Sequence, residues 1–200
     1  MNLIGIVRGL SGKALFFVAL SCLGAQANAA PDAVAGKAKA QICMACHGES
    51  GIAQLAEAPN LAAQPALAIF YQLVQFREHY RKGGGMEAIA SALSDQDMRD
   101  IAAFFTSLPA PPPQSADQSK VALGQSISQQ AFCQSCHGAQ LHGQKHIPRL
   151  AGQKADYLAL QLKSLRSGSR VDMDGTMGSA AKALTDDQID AIVAFAQTLN

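Results

Sequence analysis

Two five-residue stretches, Cys43-Met44-Ala45-Cys46-His47 and Cys133-Gln134-Ser135-Cys136-His137, carry the same pattern of paired cysteines followed by a histidine. Cys-x-x-Cys-His is the attachment sequence of c-type haem. Two thiols a short turn apart reach the two vinyl groups of one porphyrin, and the adjacent imidazole is then held against the iron from one side. The two motifs therefore predict two covalently bound haem c groups, attached through Cys43 and Cys46 and through Cys133 and Cys136, with His47 and His137 as iron ligands. A Cys-x-x-Cys pair also occurs in zinc ribbons and in dithiol redox sites. Neither of those needs the following His. Paired zinc motifs also lie roughly 15 to 20 residues apart, whereas Cys133 follows Cys43 by 90 positions.

The residues around the motifs repeat as well. Pro59 and Leu61 match Pro148 and Leu150, Gln64 matches Gln153, Gln72 and Leu73 match Gln161 and Leu162, and Arg77 and Arg81 match Arg166 and Arg170, all at an offset of 89. From Met86 onward the offset becomes 91, pairing Met86 with Met177, Leu93 with Leu184, Asp95 with Asp186, Phe104 with Phe195 and Leu108 with Leu199. Two copies make a duplicated domain rather than a solenoid. Between them Pro109, Pro111, Pro112 and Pro113 run into polar Gln114, Ser115 and Asp117, a composition that favours an extended, semi-rigid connection. The expected division is a first domain over 30–108, a linker over 109–118 and a second domain over 119–200.

Each copy reads as helix, motif, loop, helix, Met loop, helix. Ser94 with Asp97 and Thr185 with Gln188 have the spacing of N-terminal capping pairs. Met98, Ile101, Phe105 and Leu108 then follow helical periodicity, as do Ile189, Ile192, Val193, Ala196 and Leu199. No segment sustains the apolar alternation of strands. The fold class is therefore all-α, two tandem domains each wrapped around one covalent haem.

The repeat also selects the sixth ligand of each iron. Met44 lies between two haem cysteines and Met98 occupies an apolar helical position, so neither fits. Met173 competes with Met177, but its repeat-equivalent is Lys82, which has no thioether. Met86 and Met177 each stand seven residues before the matched Leu93 and Leu184, in glycine-containing loops that can bring the backbone close to a porphyrin. They are the candidates; His79, His142 and His146 have no repeat-related partners. A soft thioether opposite His raises the reduction potential, and filling both axial positions leaves no place for oxygen or peroxide. That points to outer-sphere transfer of one electron per haem. Pro59 and Pro148 have two readings, as carbonyl partners of the proximal imidazoles or as plain turn prolines. Arg77, Arg81, Arg166 and Arg170 also have two, as partners of haem propionates or as solvated helix-end arginines.

The N-terminus reads as an export signal. Arg8 and Lys13 precede the apolar run Ala14 to Leu23, and Ala27, Asn28 and Ala29 form an AxA-like cleavage site. The run is short of the roughly 20 apolar residues needed to span a bilayer. Residues 1–29 are thus expected to be removed, taking with them Cys22, the odd fifth cysteine, and placing the protein in the periplasm. Of the 16 Lys and Arg residues, Arg8 and Lys13 lie in this segment, leaving 14 against 15 Asp and Glu. Such a balance gives no concentrated basic surface for nucleic acid. The chain has no Trp and is 6% aromatic, lean for two small cores unless porphyrins supply apolar bulk.

The segment Pro148, Leu150, Ala151, Gly152, Gln153, Tyr157, Leu158, Gln161, Leu162, Arg166, Gly168 and Arg170, with the two motifs in tandem, closely resembles the diheme cytochrome c4 family. The resemblance covers essentially the whole mature chain. It implies two class I cytochrome c-like domains with His/Met-ligated haems, related by an approximate twofold axis with haem edges facing. It also implies a carrier between a quinol-oxidising complex and a terminal oxidase or reductase, with redox proteins as partners and loose attachment to the membrane surface. The first copy departs from the pattern: Ala63 stands for Gly152, Ala68 for Tyr157, and Gly83, Gly84 and Gly85 precede Met86. The two haems are therefore expected to differ in potential. Two other classes share most of these features. One is the diheme subunit of a dehydrogenase, such as flavocytochrome c sulfide dehydrogenase; the other is a diheme peroxidase or thiosulfate-oxidising cytochrome, against which paired Met86 and Met177 argue.

Overall fold

The computed structural model describes residues 29–200; the export-signal reading, with Arg8, Lys13 and Cys22, lies outside them. The first half contains α1 (Ala33–Lys39), α2 (Gln41–His47), α3 (Ala66–Arg77), α4 (Met86–Ser91) and α5 (Asp95–Ser107). The second contains α6 (Gln118–Gln130), α7 (Cys133–His137), a 3-10 turn (Ala139–Leu141), α8 (Ala155–Ser167), α9 (Thr176–Lys182) and α10 (Asp186–Gln197). Among the described residues there is no strand, only one isolated bridge between Gln144 and Ile147. The fold is all-α, as the missing alternation implies.

Local chemistry sets the helix starts. The Asp32 carboxylate accepts from Val34 N at 2.8 Å to cap α1, and Asp117 does the same for Ser119 N at 2.9 Å to open α6. Both expected capping boxes are present. Ser94 and Asp97 exchange bonds of 3.1 and 3.0 Å at the start of α5, and Thr185 and Gln188 exchange bonds of 3.3 and 2.9 Å at α10. Each satisfies amide groups that a helix start leaves without partners.

In each half the first helix crosses the last at a glycine. A Cβ on Gly36 would lie 1.9 Å from Asp100 O, and one on Gly124 would lie 1.9 Å from Ala191 O. Only a residue without a side chain lets α1 meet α5, or α6 meet α10, this closely. Met98, Ile101 and Phe105 then close one core with Ile69 and Leu73 of α3. Ile189, Val193 and Ala196 close the other with Leu141 and Leu158.

Two details go beyond the sequence reading. Met86 and Met177 lie within the first turn of α4 and α9, not in open loop, because left-handed Gly85 (φ 73°) and Gly175 (φ 75°) turn the chain straight into a helix. Residues 109–117 carry no regular structure but are docked: Pro111 is buried and Gln114 N donates to Gln197 O at 2.8 Å.

Candidate haem sites and the surface between them

His47 ends α2 and His137 ends α7, and both rings are buried, at 6% and 4% exposure. His47 Nδ1 lies 2.9 Å from Pro59 O, and His137 Nδ1 lies 2.9 Å from Pro148 O. A carbonyl only accepts, so each Nδ1 carries the proton and each Nε2 presents a lone pair. Burial lowers both imidazole pKa values, the proline carbonyls opposing it, so both rings stay neutral as metal ligation requires. Of the two readings of Pro59 and Pro148, the carbonyl-partner one is what the geometry supports.

His137 Nε2 is buried with no hydrogen-bond partner. A buried acceptor of this kind costs about 1–3 kcal/mol unless something binds it, and an iron on that side fits. None of the four motif cysteines is in a disulfide: Cys43 is buried, Cys46 and Cys133 are half-buried and Cys136 is exposed. Burial pushes the Cys43 thiol up, away from reactive thiolate character. Among the described residues no three of His, Cys, Asp and Glu converge on a point, as a zinc site would require.

The methionines sort by position. Met98 is fully buried in the first core, and Met173 is 68% exposed. Met86 is half-buried and packs on the same apolar cluster as Cys43. Met177 is also half-buried, and its loop is clamped: the Asp172 carboxylate accepts from Met177 N at 2.7 Å and from Gly178 N at 3.1 Å. In the first half Met86 N instead donates to Gly83 O at 3.3 Å, and the carboxylate on that loop, Glu87, accepts from Gly83 N at 3.0 Å. Asp172 escaped the sequence reading because it occurs in one copy only.

The four arginines separate into two kinds. Arg77 pairs with Asp95 at 2.7 Å and also donates to Leu93 O; Arg166 pairs with Asp186 at 2.5 Å and donates to Leu184 O. These are clips holding α3 to α5 and α8 to α10. Arg81 and Arg170 instead meet between the halves. Arg81 donates to Gln72 of its own half, to Gln161 Oε1 at 3.1 Å and to the Tyr157 hydroxyl at 3.0 Å. Arg170 donates to Gln161 at 2.7 Å and to Gln72 at 3.3 Å. Burial and the like charge of Arg81 push Arg170 down to about 10, and its Nε is buried without a partner. Two guanidiniums are thus gathered across the seam, with Asp172 the carboxylate acting on Arg170, an arrangement able to take up further negative charge.

Sequence reasoning matched Gln64 with Gln153 but did not read their role. Gln64 bonds the main chain of Arg149 through both N and O, at 3.0 and 2.9 Å. Gln153 bonds the main chain of Asn60 in the same way, at 2.7 and 2.9 Å. Asn60 and Arg149 are themselves 89 apart, so the two halves exchange identical contacts about a local twofold. The signal available was a polar pair repeated within otherwise small and apolar surroundings.

Comparison with known proteins agrees with this architecture. Residues 121–200 match the family described as "Cytochrome c", and residues 29–105 match "Cytochrome C oxidase, cbb3-type, subunit III". The chain is 35% identical to cytochrome c4 of Pseudomonas aeruginosa, covering 87% of this chain and 92% of that protein. It is 34% identical to a thiosulfate dehydrogenase electron acceptor of Stutzerimonas stutzeri, covering 78% of each. The crystal structure of reduced recombinant cytochrome c4 from Pseudomonas stutzeri superposes with a TM-score of 0.79 at 31% identity, over 86% of this chain and 100% of that one.

Proposed function

The chain belongs to the diheme cytochrome c4 family and is an electron-transfer cytochrome with two covalent haem c groups, and from that premise we propose how its residues do the work. Cys43 and Cys46 hold the first haem and Cys133 and Cys136 the second. His47 with Met86, and His137 with Met177, ligate the two irons. Each haem, when bound, supplies a one-electron ferric/ferrous couple. The pair of buried imidazoles, each fixed by a proline carbonyl at 2.9 Å, is the observation that carries this reading. Such anchoring sets the ring orientation and basicity before any ligand arrives. Arg81 and Arg170, one from each half, would pair with haem propionates.

The protein is exported to the periplasm, where it carries electrons one at a time from a quinol-oxidising complex to a terminal oxidase or reductase. Among the described residues no helix is long and apolar enough to cross a membrane. A second reading is that of electron acceptor to a periplasmic dehydrogenase, of the flavocytochrome type or one acting on thiosulfate. The similarity to a thiosulfate dehydrogenase electron acceptor favours the latter.

A spectroscopic redox titration of the holoprotein tests ligation. The ferric methionine-sulfur charge-transfer band is expected to be partly lost in Met86→Ala and in Met177→Ala and retained in Met173→Ala. Full retention in Met177→Ala, or rapid carbon monoxide binding to the reduced native protein at neutral pH, overturns the closed-iron reading. Reduction by a thiosulfate dehydrogenase but not by a quinol-oxidising complex would select the second role.

A further inference from the structure

Asn60 and Arg149 do the same main-chain work in the two halves but carry different side chains. The Asn60 amide makes neutral bonds, accepting from Ala53 N at 2.9 Å and donating to Gly152 O at 3.1 Å. Arg149 brings a full positive charge into the corresponding place. It is 7% exposed, its Nε donates to Ala151 O at 3.1 Å, and its Nη2 is buried with no partner. Among the described residues, none of the ion pairs includes it. Burial weakens its hold on the proton, yet a guanidinium stays charged at any physiological pH.

The position of this charge matters. Arg149 follows Pro148 directly, and it is the Pro148 carbonyl that accepts the His137 Nδ1 proton at 2.9 Å. The loop anchoring the second iron's histidine therefore holds a fixed cation, whereas the loop anchoring His47 holds a neutral amide. A ferric haem carries one more positive charge than a ferrous one, so a neighbouring cation favours the reduced state. Arg81 and Arg170 occupy repeat-related places, one in each half, and bond glutamines of both halves, so they would act on both haems. Two charges are found in the second half alone: Asp172, whose carboxylate is engaged by Met177 N and Gly178 N and acts on Arg170, and Arg149, which has no anionic partner among the described residues and is the unbalanced one.

We propose that Arg149 is a potential-setting residue that raises the second haem above the first, so that the electron of a half-reduced molecule rests in the second half. The proposal rests on the ligation reading given above. A unit charge within about 10 Å of a redox centre, at an effective dielectric near 20, shifts the oxidised-to-reduced ratio by roughly tenfold. For a one-electron couple that is about 59 mV. Because the guanidinium is buried, salt screens it little.

The experiment is a redox titration of the holoprotein with two resolved midpoints, the second assigned as the one that drops in Met177→His. In the native protein the second midpoint is expected above the first, with a gap that persists between low and high salt. Arg149→Asn, which copies the first half, is expected to lower the second midpoint by the equivalent of about tenfold and to leave the first nearly in place. Arg149→Lys, which keeps the charge, is expected to restore most of it. An unmoved second midpoint with the charge-transfer band intact overturns this inference alone. So does equal movement of both midpoints, or a lysine variant as low as the asparagine one. The native protein decides the question even if the variants do not fold: a second midpoint at or below the first, or a gap that closes in salt, overturns it. Absence of His/Met spectra in the native protein overturns the ligation reading and this inference together.

Discussion

Ala63 and Gly152 are repeat partners in one turn, with φ of 54° and 66°. Both donate their amide to the last helix of their own half, Ala63 N to Phe105 O and Gly152 N to Ala196 O, each at 3.0 Å. The turn needs a left-handed residue, and alanine there carries about 1–2 kcal/mol of steric strain. Glycine relieves it but gives the unfolded chain more freedom to lose, an offset of about 0.4–1 kcal/mol. Ala63→Gly is therefore expected to stabilise the holoprotein by about 0.5–1 kcal/mol in urea unfolding. Gly152→Ala is expected to cost more than that gain, since its Cβ would also lie 3.0 Å from Pro111 O. The substitution was visible in the sequence as a departure from the repeat. That the backbone keeps its conformation regardless, held by the same hydrogen bond, was not visible.

At the scale of helices, the caps and apolar periodicity of α5 and α10 made those elements legible, because both signals are local. The short α4 and α9 were not legible, since they depend on glycine dihedrals that no periodicity reports. Nor was the glycine crossing of α1 on α5, which brings together residues 64 positions apart. That crossing carries an electrostatic tie in the first half alone. Lys39 Nζ lies 2.7 Å from both Asp97 and Asp100. The positions 91 residues on are Gln188 and Ala191, which bear no charge. Lys39 and the Ser94 hydroxyl hold the Asp97 carboxyl down from 3.8 to about 2. A depressed carboxylate stabilises the fold fully above its unfolded pKa, and that contribution is lost as pH falls through the folded value. The first half is thus expected to lose stability between about pH 4 and pH 2. Asp97→Asn should flatten that part of the denaturation profile while lowering stability at neutral pH. An unchanged slope between pH 4 and 2 in this variant would assign the acid lability elsewhere.

For the whole molecule, the haem motifs and the methionines proposed as their partners stand out in the sequence because they occur twice, whereas Asp172, Arg149 and the interface depend on differences between copies or on contacts between them. The two halves are joined by polar groups rather than by a shared apolar core. Gln64 and Gln153 satisfy four main-chain groups across the twofold, the edge of Tyr71 meets the His146 ring at 5.7 Å, and Lys154 donates to Leu55 O. At the centre of this polar seam sit Arg81, 9% exposed with its guanidinium 4.7 Å from the Phe76 ring centroid, and Arg170. Two like charges so placed repel each other, Asp172 and Tyr157 offset part of that at Arg170, and further anionic groups would relieve the rest. Under the proposed reading, propionates from both haems would supply them, and each arginine would then neutralise charge near both irons. The expected signature differs from that of Arg149. Arg81→Ala and Arg170→Ala together should lower both midpoints by similar amounts and make both more dependent on pH, because the propionates regain exposure to protons. Each single variant should give about half the effect on both haems, since each guanidinium bonds glutamines from the two halves. Potentials and pH dependence left unchanged in the double variant would reduce these arginines to interface packing. A drop confined to one haem would instead show that each arginine serves only its own half, despite the bonds that cross the seam.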